Sequence, residues 1–263
     1  MCRFLAYRGE PVFMEDLVCA PCHSLIHQSL HAEEAKTGTN GDGFGVGWYA
    51  ARPQPGLYRE LRPAWSDENL RSICGQVRSG LFFAHVRAAT GTATTRANCH
   101  PFAHGRWMFM HNGQVGGWPL VRRKVEQLIP DTLYDSRFGT TDSEAIFLAA
   151  LADGLEEDPV GALARTLRRV KSMMDAAGVR EALRFTAALT DGESVYAVRW
   201  ACDAKPATLY YRETAEALLI VSEPLDRAQD GWVAVPRACA LVARPGAALS
   251  VACMDAEMGR AAA

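Results

Sequence analysis

Apolar and polar positions divide this chain into three stretches. In the first, apolar runs are short and bounded by turn residues. CRFLAY, NGDGFGVGWYA, LYRELRPAW, GLFFAHVRAAT and RWMFMHNG each read as a strand. NGDGFGVGWYA sets glycines on one parity and larger apolar residues on the other, which suits a strand entered by a tight turn. RWMFMHNG reads as a strand that ends in a turn at Asn112-Gly113. DENLRSICGQV breaks the run, with apolar residues at helical spacing after an acidic start, and GGWPLVRRKVEQLI is also helical.

The second stretch predicts two long helices. TTDSEAIFLAALADGLEE opens with a capping box, Thr141 as N-cap and Glu144 after it. PVGALARTLRRVKSMMDAAG begins with a permitted proline, and Val160, Leu163, Leu167, Val170 and Met174 fall on one face. The third stretch returns to strands: RFTAAL, a turn at Asp191-Gly192, then SVYAVRW, TLYYRE, ALLIVS and WVAV. Strands separated from helices in this way predict an α+β layered protein with largely antiparallel sheets. With no Pro/Gly/Ser linker and no repeat, residues 1–263 are expected to form a single domain.

Composition narrows the class by exclusion. The net charge of -2 gives no basic footprint for nucleic acid. No apolar run approaches the ~18–20 residues of a membrane span, and Arg3, Arg8, Glu10, Glu15 and Asp16 interrupt the segment where a signal peptide would place its apolar core. No nucleic-acid or membrane partner is therefore expected, and a cytoplasmic location is. The 8 cysteines follow no framework, so free thiols in a reducing compartment are expected.

Candidate chemistry lies at six places, each with a plain alternative. Cys2 is either a buried thiol at a strand end or a nucleophile exposed by loss of Met1. CAPCH matches a haem-attachment pattern that normally needs export, and His23, His27 and His31 could join Cys19 and Cys22 around zinc only if their segment is one continuous helix. GDGFGVG fits neither dinucleotide nor phosphate fingerprint; its glycines suit the close approach of another backbone or a small ligand. Arg87, at the end of an apolar strand, reads as a structural salt bridge or as a fork for a carboxylate ligand. Asn112 and Gly113 read as a turn or as paired donors for an oxyanion. Asp142 reads as a favourable charge in a first helical turn or as a ligand for an ammonium. Together, a terminal thiol, an arginine, an amide with a glycine, and an aspartate are the parts needed to cleave the side-chain amide of a free glutamate unit.

The order of these motifs gives a resemblance. MCRFLAY, NGDGFGVGWY, AHVRAATG, and MHNG followed by TTDSE resemble the class II glutamine amidotransferases of the N-terminal-nucleophile hydrolase superfamily. NCHPF and VSEPL resemble its free-standing branch, which includes a glutathione-degrading amidotransferase subunit and the ergothioneine-pathway γ-glutamyl hydrolase. The resemblance implies a four-layer αββα sandwich with largely antiparallel sheets. It implies Cys2 as nucleophile with its own α-amine as base, Asn112 and Gly113 as oxyanion hole, Arg87 on the α-carboxylate and Asp142 on the α-ammonium, with His85 and Thr90 shaping the pocket. Ala89 departs from the serine that relatives usually carry before Thr90. The implied substrate is glutamine or a small γ-glutamyl compound, with no cofactor and no metal, and with a separate peptidase or synthase subunit as an open partner. Two other readings stay open: a non-catalytic binding or regulatory subunit, and metal-dependent hydrolysis at the histidine-rich segment.

Overall fold

A computed structural model describes residues 2–34, 38–89, 91, 93–203, 205–226 and 231–254. The predicted Thr90, and Met1, lie outside the described residues. The strands are β1 (Arg3–Phe13), β2 (Phe44–Trp48), β3 (Gly56–Glu60), β4 (Arg78–Val86), β5 (Phe102–His104), β6 (Trp107–Val115), β7 (Leu183–Thr190), β8 (Val195–Ala201), β9 (Tyr210–Glu213), β10 (Ala217–Val221), β11 (Val233–Ala234), β12 (Cys239–Ala243) and β13 (Ser250–Cys253). The helices are α1 (Glu15–Val18), α2 (Leu25–Leu30), α3 (Glu68–Gln76), α4 (Trp118–Glu126), α5 (Asp131–Tyr134), α6 (Asp142–Ala152) and α7 (Pro159–Ala176).

Two antiparallel sheets form, one in the order β11-β9-β10-β1-β4-β2-β3 and the other β13-β12-β8-β7-β6-β5. Alternation along each strand sorts the side chains into three cores. Phe4 and Ala6 of β1, Leu81 and Phe83 of β4, and Met108 and Met110 of β6 meet between the sheets. Leu5 and Tyr7 of β1, with Phe82 and Ala84 of β4, face α1, α2 and α3. Phe109 of β6 and Phe185, Ala187 and Leu189 of β7 face α4, α6 and α7. The result is the αββα sandwich, helices outside and two sheets within.

The helix starts follow their capping residues. Asp67 accepts from the Leu70 amide to begin α3, and Asp158 accepts from the Gly161 amide with Pro159 at the first position of α7. The Thr141 hydroxyl accepts from the Glu144 amide, as its capping box predicts. The Glu144 carboxylate does not close that box; it accepts from Phe138 and Gly139 amides and from Arg137.

Two predicted elements differ, and two strands are added. β1 is longer than CRFLAY because it pairs with both β10 and β4, with a bulge between Arg8 and Val12. The turn at Asn112-Gly113 is not formed: both residues lie inside β6, opposite Thr186 and Phe185. The chain turns later, where Gly117 takes φ 59° before α4. β12 and β13, which no sequence signal marked, extend the second sheet.

Candidate active site

Glycines bring the two sheets together at one end. A Cβ on Gly45 would run into the His100 carbonyl, and one on Gly47 would lie 2.5 Å from Met108 Sδ. The glycines of GDGFGVG thus permit the close backbone approach read from the sequence. At this end Cys2, Arg87, His100, Gly113, Trp118 and Asp142 line one cleft of about 310 Å³.

Cys2 enters β1 with the parity of Phe4 and Ala6, facing the space between the sheets. Its Sγ lies 3.7 Å from the Ala88 carbonyl oxygen. Burial holds the thiol above its ordinary pKa, against the opposite pull of the Arg87 and Arg3 cations.

Arg87 follows β4 and is buried. Its amide donates to Gly43 O at 2.8 Å, and the Asp42 amide returns a bond to Arg87 O at 3.0 Å. Its guanidinium donates to the carbonyls of Asp42 and Ala93, each at 3.3 Å. The Asp42 carboxylate accepts from the Ala89 amide at 2.8 Å, so the first turn of NGDG also shapes the loop after Arg87. Sequence reasoning did not assign this role to Asp42.

Asn112 shares the parity of Met108 and Met110 and is buried between the sheets. Its Nδ2 is buried and has no hydrogen-bond partner among the described residues. A buried amide donor left unpaired is costly. Gly113 cannot be replaced by a larger residue without moving backbone, because a Cβ there would overlap the Arg184 carbonyl on β7. The Val115 amide donates to Asp142 Oδ2 at 2.7 Å, outside the ladder with β7. Amides two residues apart point to the same side of a strand, so the Gly113 N–H faces that side too.

Asp142 is the first residue of α6. Besides Val115, its carboxylate accepts from the Ser143 amide at 2.8 Å. The Ser143 hydroxyl lies 2.8 Å from His111 Nδ1. Asn98, from NCHPF, ties the loop before β5 to the loop before α6: it donates to Ala93 O at 2.7 Å and accepts from the Thr140 amide at 2.7 Å.

The structure therefore brings Cys2, Arg87, Gly113 and Asp142 to one cleft, with Asn112 buried on the inter-sheet side of the same strand as Gly113. His85 is buried and is not part of the cleft wall; His100, to which no role was given, is.

The profile of the family described as class II glutamine amidotransferases matches residues 1–212. The chain belongs to that family. It is 32% identical to the probable glutamine amidotransferase DUG3 of Saccharomyces cerevisiae, over 90% of this chain and 80% of the yeast protein. It is 29% identical to the gamma-glutamyl-hercynylcysteine sulfoxide hydrolase of Mycolicibacterium smegmatis, over 90% of this chain and 92% of that one. The solved structure of a glutamine aminotransferase class-II domain protein from Silicibacter pomeroyi superposes with TM-score 0.77 at 40% identity, covering 95% of this chain and 98% of that chain. The protein is an enzyme of the class II glutamine amidotransferase type, acting as a glutamine amidotransferase or γ-glutamyl hydrolase.

The histidine-rich segment of the amidotransferase is not one helix. α2 starts at Leu25, after His23. His23 Nε2 instead meets Glu223 Oε1 at 2.5 Å. Glu223 belongs to VSEPL; its carboxylate also accepts the Glu33 and Glu34 amides at 2.9 and 3.1 Å and pairs with Arg3 at 3.4 Å. Among the described residues, ligand atoms of His23, Glu33 and Glu223 lie within 4.8 Å of one another, but the Glu223 oxygens are already engaged by these donors and by a cation. No described helix is long and apolar enough to cross a membrane.

Three buried histidines gather at the amidotransferase cleft: His100 and His111 in its wall and His85 away from it. The His85 and His100 rings lie 4.2 Å apart, and among the described residues neither His100 nitrogen has a hydrogen-bond partner. Burial pushes His85 down to about 3, against a hydrogen bond to the His111 backbone and with the Arg87 charge adding to the depression. Burial also lowers His100 and His111, against the pull of Asp142 on His111. All three imidazoles are neutral at pH 7. In the unfolded chain each takes up a proton near its ordinary value of about 6.5. Below about 6.5 the unfolded state therefore binds more protons than the native state, so the contribution of these rings to stability is full above pH 6.5 and is lost as the pH falls. Urea midpoints should drop between pH 7.5 and pH 5, before carboxylates titrate. Equal midpoints at the two values would show that these rings titrate alike in both states.

Proposed function

We propose that this amidotransferase hydrolyses the γ-amide of a γ-glutamyl compound through a thioester on Cys2. The observation that carries the reading is the cleft that gathers Cys2, Arg87, Gly113 and Asp142, with the unpaired Asn112 Nδ2 in reserve. Loss of Met1 makes the nucleophile's own α-amine the base; a free α-amine has a pKa of ~7.7–8.0, suited to proton transfer near neutral pH. The amine takes the thiol proton as Sγ attacks the γ-carbonyl carbon. The oxyanion develops toward the Asn112 and Gly113 donors. Collapse breaks the C–N bond, and the ammonium returns the proton to the leaving nitrogen. Water then attacks the thioester, giving up one proton as the Cys2 thiol re-forms, and glutamate is released. Arg87 forks onto the substrate α-carboxylate, and Asp142 holds its α-ammonium.

The same grip explains a choice of substrate. Arg87, Asp142, Asn112 and Gly113 hold only the glutamyl half, so the group beyond the scissile nitrogen is free to vary. The relative whose name specifies a γ-glutamyl conjugate supports this reading. Residues 1–263 act as one catalytic domain in the cytoplasm, open to work with a peptidase or ammonia-using synthase subunit. Glutamate release from glutamine, γ-glutamyl peptides and γ-glutamyl amines tests the proposal. The expected result is a higher kcat/KM for a γ-glutamyl conjugate than for glutamine. A clear preference for glutamine, with ammonia passed to a co-purifying synthase, overturns it.

A further inference from the structure

Outside the cleft, the last two strands place two cysteines face to face. β12 and β13 run antiparallel with Cys239 opposite Cys253. The Met254 amide donates to Ala238 O at 2.7 Å, which makes 238 and 254 a hydrogen-bonded pair. Pairs alternate along an antiparallel ladder, so 239 and 253 form the non-hydrogen-bonded kind, in which Cα atoms approach to about 4.5 Å and side chains lie closest. That separation falls inside the range a disulfide spans without backbone movement. The two sulfurs are 3.1 Å apart. Cys239 is buried and Cys253 is exposed, so one partner is reachable from solvent and the other is held beneath it.

We infer that Cys239 and Cys253 are a disulfide-forming site that fastens the outermost strand of the second sheet. The co-reactant is a low-molecular-weight disulfide. The Cys253 thiolate attacks one of its sulfurs, expels the first thiolate and forms a mixed disulfide. The Cys239 thiolate then attacks the Cys253 sulfur and expels the second thiolate. The protein loses two protons and two electrons, and the small disulfide is reduced to two thiols.

The bond has something to hold. Among the described residues β13 pairs with β12 alone, at the edge of its sheet. Met254, next to Cys253, is buried in the core shared by that sheet and the helices. Cross-linking partners 14 residues apart removes freedom from the unfolded chain and should raise Tm by roughly 5 °C. β8 and β7 separate β12 from β6, which carries Asn112 and Gly113. Glutamate release should therefore be unchanged by the bond.

The test uses the reduced full-length chain and bis(2-hydroxyethyl) disulfide, a reagent with no γ-glutamyl group. Non-reducing peptide mapping should show the Cys239 and Cys253 peptides joined, with two hydrogens lost, and dithiothreitol should separate them. In Cys239→Ser the reaction should stop at the mixed disulfide on Cys253. In Cys253→Ser the Cys239 peptide should stay unmodified, and the rise in Tm should vanish. A mixed disulfide that persists on Cys253 in the parent chain, or Cys253 joined to any other cysteine, overturns the inference. Mapping by mass reads the site directly, so failure of the catalytic reading leaves this result standing.

Discussion

Cys2→Ser should fold as the parent does and lose glutamate release by roughly 10³-fold or more. A serine hydroxyl is a far weaker nucleophile than a thiolate at neutral pH, and no other described side chain in the cleft offers a thiol. The fold should survive because the change is one atom, at the edge of a strand fixed by pairing on both sides with β10 and β4. Burial already holds the thiol above its ordinary pKa, so the bare side chain is mostly protonated and depends on a base. The α-amine fills that role only when no residue precedes it. A chain carrying an uncleaved extension before Cys2 should therefore be inactive, and removal of the extension should restore turnover. Equal thermal midpoints for parent and Cys2→Ser check the fold, and glutamate assays check the chemistry. Full activity in the extended chain would refute the terminal amine as base.

Asn112→Ala should cost about 2.7–4 kcal/mol in the barrier, or about 10²–10³-fold in kcat, if its amide stabilises the developing oxyanion. The loss should fall on kcat and kcat/KM alike, because the contact forms only as charge appears on oxygen. Stability provides a second readout. Nδ2 is buried with no partner in the resting structure, so its removal leaves no acceptor stranded and relieves an unsatisfied donor. The thermal midpoint should hold or rise. A structural asparagine would show the reverse: a lower midpoint with turnover retained. A change confined to KM would assign Asn112 to ground-state binding instead.

Much of this protein follows from local pattern. The period of apolar residues places β2, β4, β6, β7 and β8, and capping residues fix the starts of α3, α6 and α7. Those features are determined within a few residues along the chain, where alternation and cap chemistry act. The motifs around Cys2, Arg87, Asn112-Gly113 and Asp142 suffice to name the family, since their order along the chain carries that information. Other features depend on partners far away in sequence. Asn112-Gly113 looks like a turn in isolation, and pairing with Thr186 and Phe185 keeps it extended. His23 looks like a ligand beside His27 and His31, and Glu223, 200 residues on, claims it instead. His100 drew no reading from the sequence, and only the stacking of two sheets buries its ring and the Asn112 Nδ2 without a partner among the described residues. Local sequence sets which backbone shape each segment prefers. The packing of one sheet against the other decides which polar groups lose water, and with it which of them are held ready for chemistry.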